Sequence, residues 1–98
     1  MNISIFIYTQ SEEYAIIKMR EVTNKLGISD EYSYSVEPYW KFSDMYKAVV
    51  QSQSSLKREC LQSIADIWED YSDDILTSDT ITGNVIRLEN IAMIDIWY

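Results

Sequence analysis

Residues 55–71, SLKRECLQSIADIWEDY, decide how the chain is read. At 100° per residue, Leu56, Cys60, Leu61, Ile64, Ile67, Trp68 and Tyr71 fall on one broad arc, and Glu59, Gln62, Asp66, Glu69 and Asp70 gather opposite. The spacing predicts an amphipathic helix that carries Trp68 and Tyr71 into the core. Cys60, on the same arc, reads as a small buried hydrophobe.

Working back toward the start, the polar run from Gln51 to Ser55 separates that helix from an earlier helical stretch, begun by Ser43 and Asp44 and continued by Met45, Tyr46, Val49 and Val50. The aromatic run Tyr39-Trp40-Lys41-Phe42 is either a short strand or the loop before that stretch. Tyr32, Tyr34 and Val36 alternate with Ser33, Ser35 and Glu37, a strand stopped or bent by Pro38. Residues 2–9 alternate Ile3, Ile5 and Ile7 with Ser4, Phe6 and Tyr8, a strand with one fully apolar face, covered on both sides as a central strand is. Between these strands, Ser11 offers a helix N-cap, and Glu12 and Glu13 sit in the first turn. Ala15, Ile16, Met19, Val22 and Leu26 recur at helical spacing, and Gly27 stands at C′. Beyond the acidic helix, Gly83-Asn84 signals a turn. Residues 91–98 read as a strand with Ala92, Ile94, Ile96 and Tyr98 on one face and Met93, Asp95 and Trp97 on the other. The order β-α-β-α-α-β-β predicts an α+β fold, one small domain over residues 1–98 with helices packed on a small mixed or antiparallel sheet.

Charge is distributed unevenly. The 98 residues hold 8 bases and 16 acids, a net charge of −8. Residues 1–58 hold seven of each and sum to zero. Residues 59–98 hold nine acids and one base, Arg87, and so carry the whole excess. In the helical reading Asp66 and Asp70 are a like-charge pair at i,i+4, and Asp73 and Asp74 lie past a helix C-terminus where the dipole prefers cations. A charged helix face is ordinarily only a solvated face. Several local preferences broken together instead mark Asp66, Glu69, Asp70, Asp73, Asp74 and Asp79 as a candidate patch for a basic partner. Eight Tyr and three Trp add residues common at interface hot spots, and Tyr39 and Trp40, at an element boundary, are the candidates for contact. Trp97 and Tyr98 read as structural.

Composition also excludes chemistry. With no His, imidazole zinc sites and Ser-His-Asp or Cys-His catalysis are out, and one Cys allows no internal disulfide. No phosphate-binding glycine loop or nucleophile elbow is present, and the run Asp70-Tyr71-Ser72-Asp73-Asp74 lacks calcium-loop spacing. The expectation is no enzyme, no cofactor and no metal site. A surplus of acid argues against direct nucleic-acid binding. Without a signal-peptide pattern or a stretch of about 18 apolar residues, the expected location is cytoplasmic and away from membranes.

In overall character the chain resembles the immunity proteins of bacterial toxin systems, particularly those of contact-dependent growth inhibition. The features carrying the resemblance are the short single domain, the acidic second part with Asp66, Glu69, Asp70, Asp73, Asp74 and Asp79, the many tyrosines and the missing catalytic apparatus. The resemblance implies a cytoplasmic partner of a toxin's C-terminal domain, often a nuclease, bound so that its active site is occluded. Nuclease domains are basic because their substrate is polyanionic, so an acidic inhibitor is steered to them. Two other readings remain open: an acidic DNA mimic that titrates a nucleic-acid-binding protein, as anti-restriction factors do, and a carboxylate metal-binding domain.

Overall fold

Ile3, Ile5 and Ile7 place a β-branched residue at every second position of β1 (Asn2–Tyr8), which favours extended backbone and leaves one face wholly apolar. Such a strand is stable only with neighbours on both sides. β1 has them: it pairs antiparallel with β3 (Met45–Gln51) and β6 (Ile91–Trp97). The structure, a computed structural model, describes residues 1–28 and 31–98. Together with β2 (Ser33–Pro38), β4 (Glu69–Ser72) and β5 (Ile75–Asp79), these strands form a six-stranded antiparallel sheet in the order β2-β3-β1-β6-β5-β4.

One face of the sheet is covered. α1 (Glu12–Lys25) begins as its sequence implies, with the Ser11 hydroxyl accepting the Tyr14 amide at 3.2 Å and Glu12 and Glu13 in the first turn. It ends at Gly27, whose φ of 72° needs a residue without a side chain. Ala15, Met19 and Val22 lie fully buried in one cluster with Ile3, Ile5, Ile7, Ile94 and Ile96. Burying each larger side chain contributes about 1.5–3 kcal/mol. Leu61, Ile64, Ala65 and Leu88 complete this layer.

The expected α+β arrangement, with several helices on a small sheet, is corrected: the sheet dominates and α1 is the one α-helix among the described residues. Residues 45–51 form β3, not a helix. Tyr46, Ala48 and Val50 turn toward the core opposite Ile7, Ile5 and Ile3, so pairing with β1 and β2 overrides the apparent helical spacing. The segment 55–71 is corrected too. A 3₁₀ helix, Arg58–Ser63, is all that its helical periodicity delivers. Its continuation is diverted because Trp68 folds back and donates its indole N–H to the carbonyls of Leu61 and Ala65, at 3.1 and 3.0 Å. The Ile64 carbonyl is meanwhile taken by the amide of Arg87 at 2.7 Å. The chain then runs extended as β4, and of the acids expected on a helix face Glu69 and Asp70 lie on a sheet edge, while Glu59 stays in the 3₁₀ helix and Asp66 falls before the strand.

The other face of the sheet carries the alternate residues of each strand: Ser4 and Phe6 of β1, Lys47 and Val49 of β3, Met93, Asp95 and Trp97 of β6, and Ile75 and Thr77 of β5. No helix packs on it among the described residues.

Candidate docking surface

β4 is an edge strand, and its hairpin with β5 gathers the carboxylates. Glu69 pairs with Thr77 and Asp70 with Leu76, while Ser72 faces Ile75, so Tyr71 is the extra residue of a bulge. The bulge presents Tyr71 to solvent, 80 % exposed. This corrects its expected place in the core. Asp73 and Asp74 form the hairpin turn and follow no helix. Tyr98 holds that turn from the last strand: its amide donates to the Asp74 carbonyl and its phenol to the Asp73 carbonyl, both at 3.0 Å.

Four of the six expected acids, Glu69, Asp70, Asp73 and Asp74, thus sit exposed on one hairpin with no cation in ion-pair contact among the described residues. Arg58 stacks over the Tyr98 ring at 5.1 Å and lines a cleft with Asp70, Ser72, Asp73 and Tyr98. The other two acids leave the group. Asp66 pairs with Arg87, whose guanidinium also donates to the Gln62 carbonyl. Asp79, at the opposite end of β5 from the turn, accepts the amide and hydroxyl of Thr82 at 2.8 and 3.0 Å.

The aromatic candidates lie elsewhere, in the β2–β3 connection. Tyr39 is half-buried, its ring edge-on to Phe6 at 5.0 Å, and it lines an apolar cleft with Phe42, Met45, Ile81, Ala92 and Met93. Trp40 is 83 % exposed and has the Lys41 ammonium 5.4 Å from its ring. Nearer the acidic hairpin, a second cleft of about 350 Å³ opens on the same sheet face between Tyr71, Ile75, Thr77, Met93, Asp95 and Trp97. Met93 borders both clefts.

Asp95 in this second cleft escaped the sequence reading as a functional residue. It is half-buried and accepts the Thr77 hydroxyl at 2.6 Å. Burial pushes its carboxyl above the ordinary value of 3.8, against the pull of the Thr77 hydrogen bond and of Lys47; Asp79 adds to the rise. The signal available in the sequence was a carboxylate between Met93 and Trp97 on a strand face that already had an apolar opposite face.

The site presents exposed carboxylates, open aromatic rings and shallow clefts. Among the described residues no three Cys, Asp or Glu side chains converge where they could hold a metal ion. No helix among them is long and apolar enough to cross a membrane. The chain matches no family model, no curated protein and no solved structure.

Proposed function

We propose that the protein is a cytoplasmic inhibitor of the immunity type, which binds the basic C-terminal domain of a toxin, a nuclease by its charge, and blocks its active site. The observation that carries this reading is the edge hairpin, where Glu69, Asp70, Asp73 and Asp74 stand without an ion pair among the described residues around the exposed Tyr71. An acidic edge of this kind raises the encounter rate with a basic protein, and a desolvated aromatic supplies much of the affinity once contact is made. Asp66 and Asp79, committed to Arg87 and Thr82, have no part in it. Tyr39, whose cleft shares Met93 with the second, extends the contact along the open sheet face, with the exposed Trp40 ring beside it.

The DNA-mimic reading draws less support. Its carboxylates would follow an extended surface as phosphates do, whereas these lie on a strand about 13 Å long in a molecule of 32 × 31 × 22 Å. The test is co-expression with a basic toxin domain, sought first in the genes beside this one. Relief of growth arrest by the wild type, reduced by the combined Glu69→Gln, Asp70→Asn, Asp73→Asn and Asp74→Asn variant, supports the reading. No relief by the wild type contradicts it.

A further inference from the structure

The bases of this chain are largely committed to its own aromatic rings. Lys18 lies over Tyr14, Arg20 over Tyr34, Lys41 over Trp40, Lys47 over Phe6 and Arg58 over Tyr98, at 5.1–5.9 Å, which accounts for five of the eight. Five rings stand outside this pattern and have no aromatic neighbour among the described residues, Tyr8, Tyr46, Trp68, Tyr71 and Trp97, and two of the five share a cleft. Tyr71 and Trp97 border a cleft with a half-buried carboxylate in it, yet among the described residues neither ring has a cation over it or a stacked aromatic neighbour. Asp95 has the Thr77 hydroxyl on Oδ1 and no cation within ion-pair distance among the described residues.

We infer that the Tyr71–Asp95–Trp97 cleft receives an arginine side chain of the partner protein. This rests on the basic-partner reading and names the contact within it. The recognition follows from elementary chemistry. A guanidinium is planar, more weakly hydrated than an ammonium, and attracted to aromatic faces, so it enters a half-buried cleft at less cost than lysine. Asp95 supplies the charge, and Thr77 fixes the orientation of its carboxylate. Ile75 and Met93 offer the aliphatic part of the side chain an apolar floor. The occupant is not a second copy of this chain, because two molecules of charge −8 meeting beside their acidic hairpins would repel.

The inference is tested without the toxin. The ¹⁵N-labelled protein is titrated with N-acetyl-arginine methylamide, its lysine counterpart and its neutral isostere, N-acetyl-citrulline methylamide, following the Trp97 indole N–H and the Thr77 amide. Saturable shifts with the arginine compound in the millimolar range are expected, weaker with lysine and at least about tenfold weaker with citrulline. Asp95→Asn, which keeps an acceptor for Thr77, should lose the preference for arginine over citrulline. Tyr71→Ala should weaken binding at a position too exposed to disturb folding. Equal binding of arginine and citrulline, no saturation, or a concentration-dependent dimer that buries Trp97 would each overturn the inference. Failure here leaves the growth-relief test of the hairpin unaffected, and failure of that test leaves this titration unaffected.

Discussion

The phenol of Tyr98 donates to the backbone carbonyl of Asp73 at 3.0 Å, joining the end of the last strand to the most acidic turn of the molecule. Asp73 and Asp74 repel one another, and besides the strand pairing at its base the turn is held by this bond and by the Tyr98 amide on the Asp74 carbonyl. Tyr98→Phe removes the phenol's bond while retaining the ring beneath Arg58. We expect a loss of about 0.5 kcal/mol in overall stability and faster amide exchange at Tyr98 and along β4–β5. Unchanged exchange would mean that the turn is held by other means.

Asp95 imposes a pH dependence with a definite sign. Burial raises its carboxyl above 3.8 in the folded protein, so above that pH the native state holds a proton that the unfolded chain has released. Its contribution is fully present below 3.8 and is lost as pH rises through the native value. Asp95→Asn does not titrate. Urea midpoints of the two proteins, measured from about pH 3 to about pH 7, should diverge with rising pH, with the wild type falling relative to the variant. Parallel curves would contradict this.

Ser78 is fully buried opposite Ile94, and its hydroxyl has no hydrogen-bond partner among the described residues. An unpaired buried hydroxyl destabilises, so Ser78→Ala should raise stability by about 1 kcal/mol. A loss of stability in denaturant titration would show that the hydroxyl is engaged.

Gly27 and Gly83 both have positive φ, 72° and 92°. A methyl group on Gly83 meets nothing within 4 Å, whereas on Gly27 it lies 3.3 Å from Cys60 Sγ and from Lys57 Cδ. Gly83→Ala should cost about 1–2 kcal/mol from backbone strain alone. Gly27→Ala should cost more, because Cys60 and Lys57 must also shift. Equal costs in urea unfolding would show that the neighbours of Gly27 yield freely.

How much of this was legible in the sequence depended on whether a segment's own residues decided its conformation. β1, α1, β2 and β6 were readable because each keeps one period and carries its own signals: the isoleucines of β1, the Ser11 cap, Gly27, and Pro38. Residues 45–51 and 55–71 were not. Met45, Tyr46, Val49 and Val50 fit helical spacing as well as a strand, and the choice was made by β1 and β2, distant in the chain. Trp68 diverted the second segment through its indole, a contact no periodicity encodes. The acidity of the candidate surface was readable from composition, but its membership was not. The ion pair of Asp66 with Arg87 spans 21 residues, and Tyr71 became exposed only through the bulge in β4. Asp95 could be placed on a face with Met93 and Trp97, yet that no base among the described residues forms an ion pair with it, Lys47 acting only at longer range, emerges only when the other bases are placed.

The central claim is that the β4–β5 hairpin steers a basic partner, and the association rate constant tests it most directly. Wild type and the fourfold Glu69→Gln, Asp70→Asn, Asp73→Asn, Asp74→Asn variant are mixed in stopped flow with the basic toxin domain proposed as the partner, across a series of salt concentrations. All four side chains are exposed, so the variant folds. At low salt the variant should associate at least about tenfold more slowly, and the two rates should converge as screening shortens the reach of the field. Equal rates at low salt, or a difference that persists unchanged at high salt, would contradict the account.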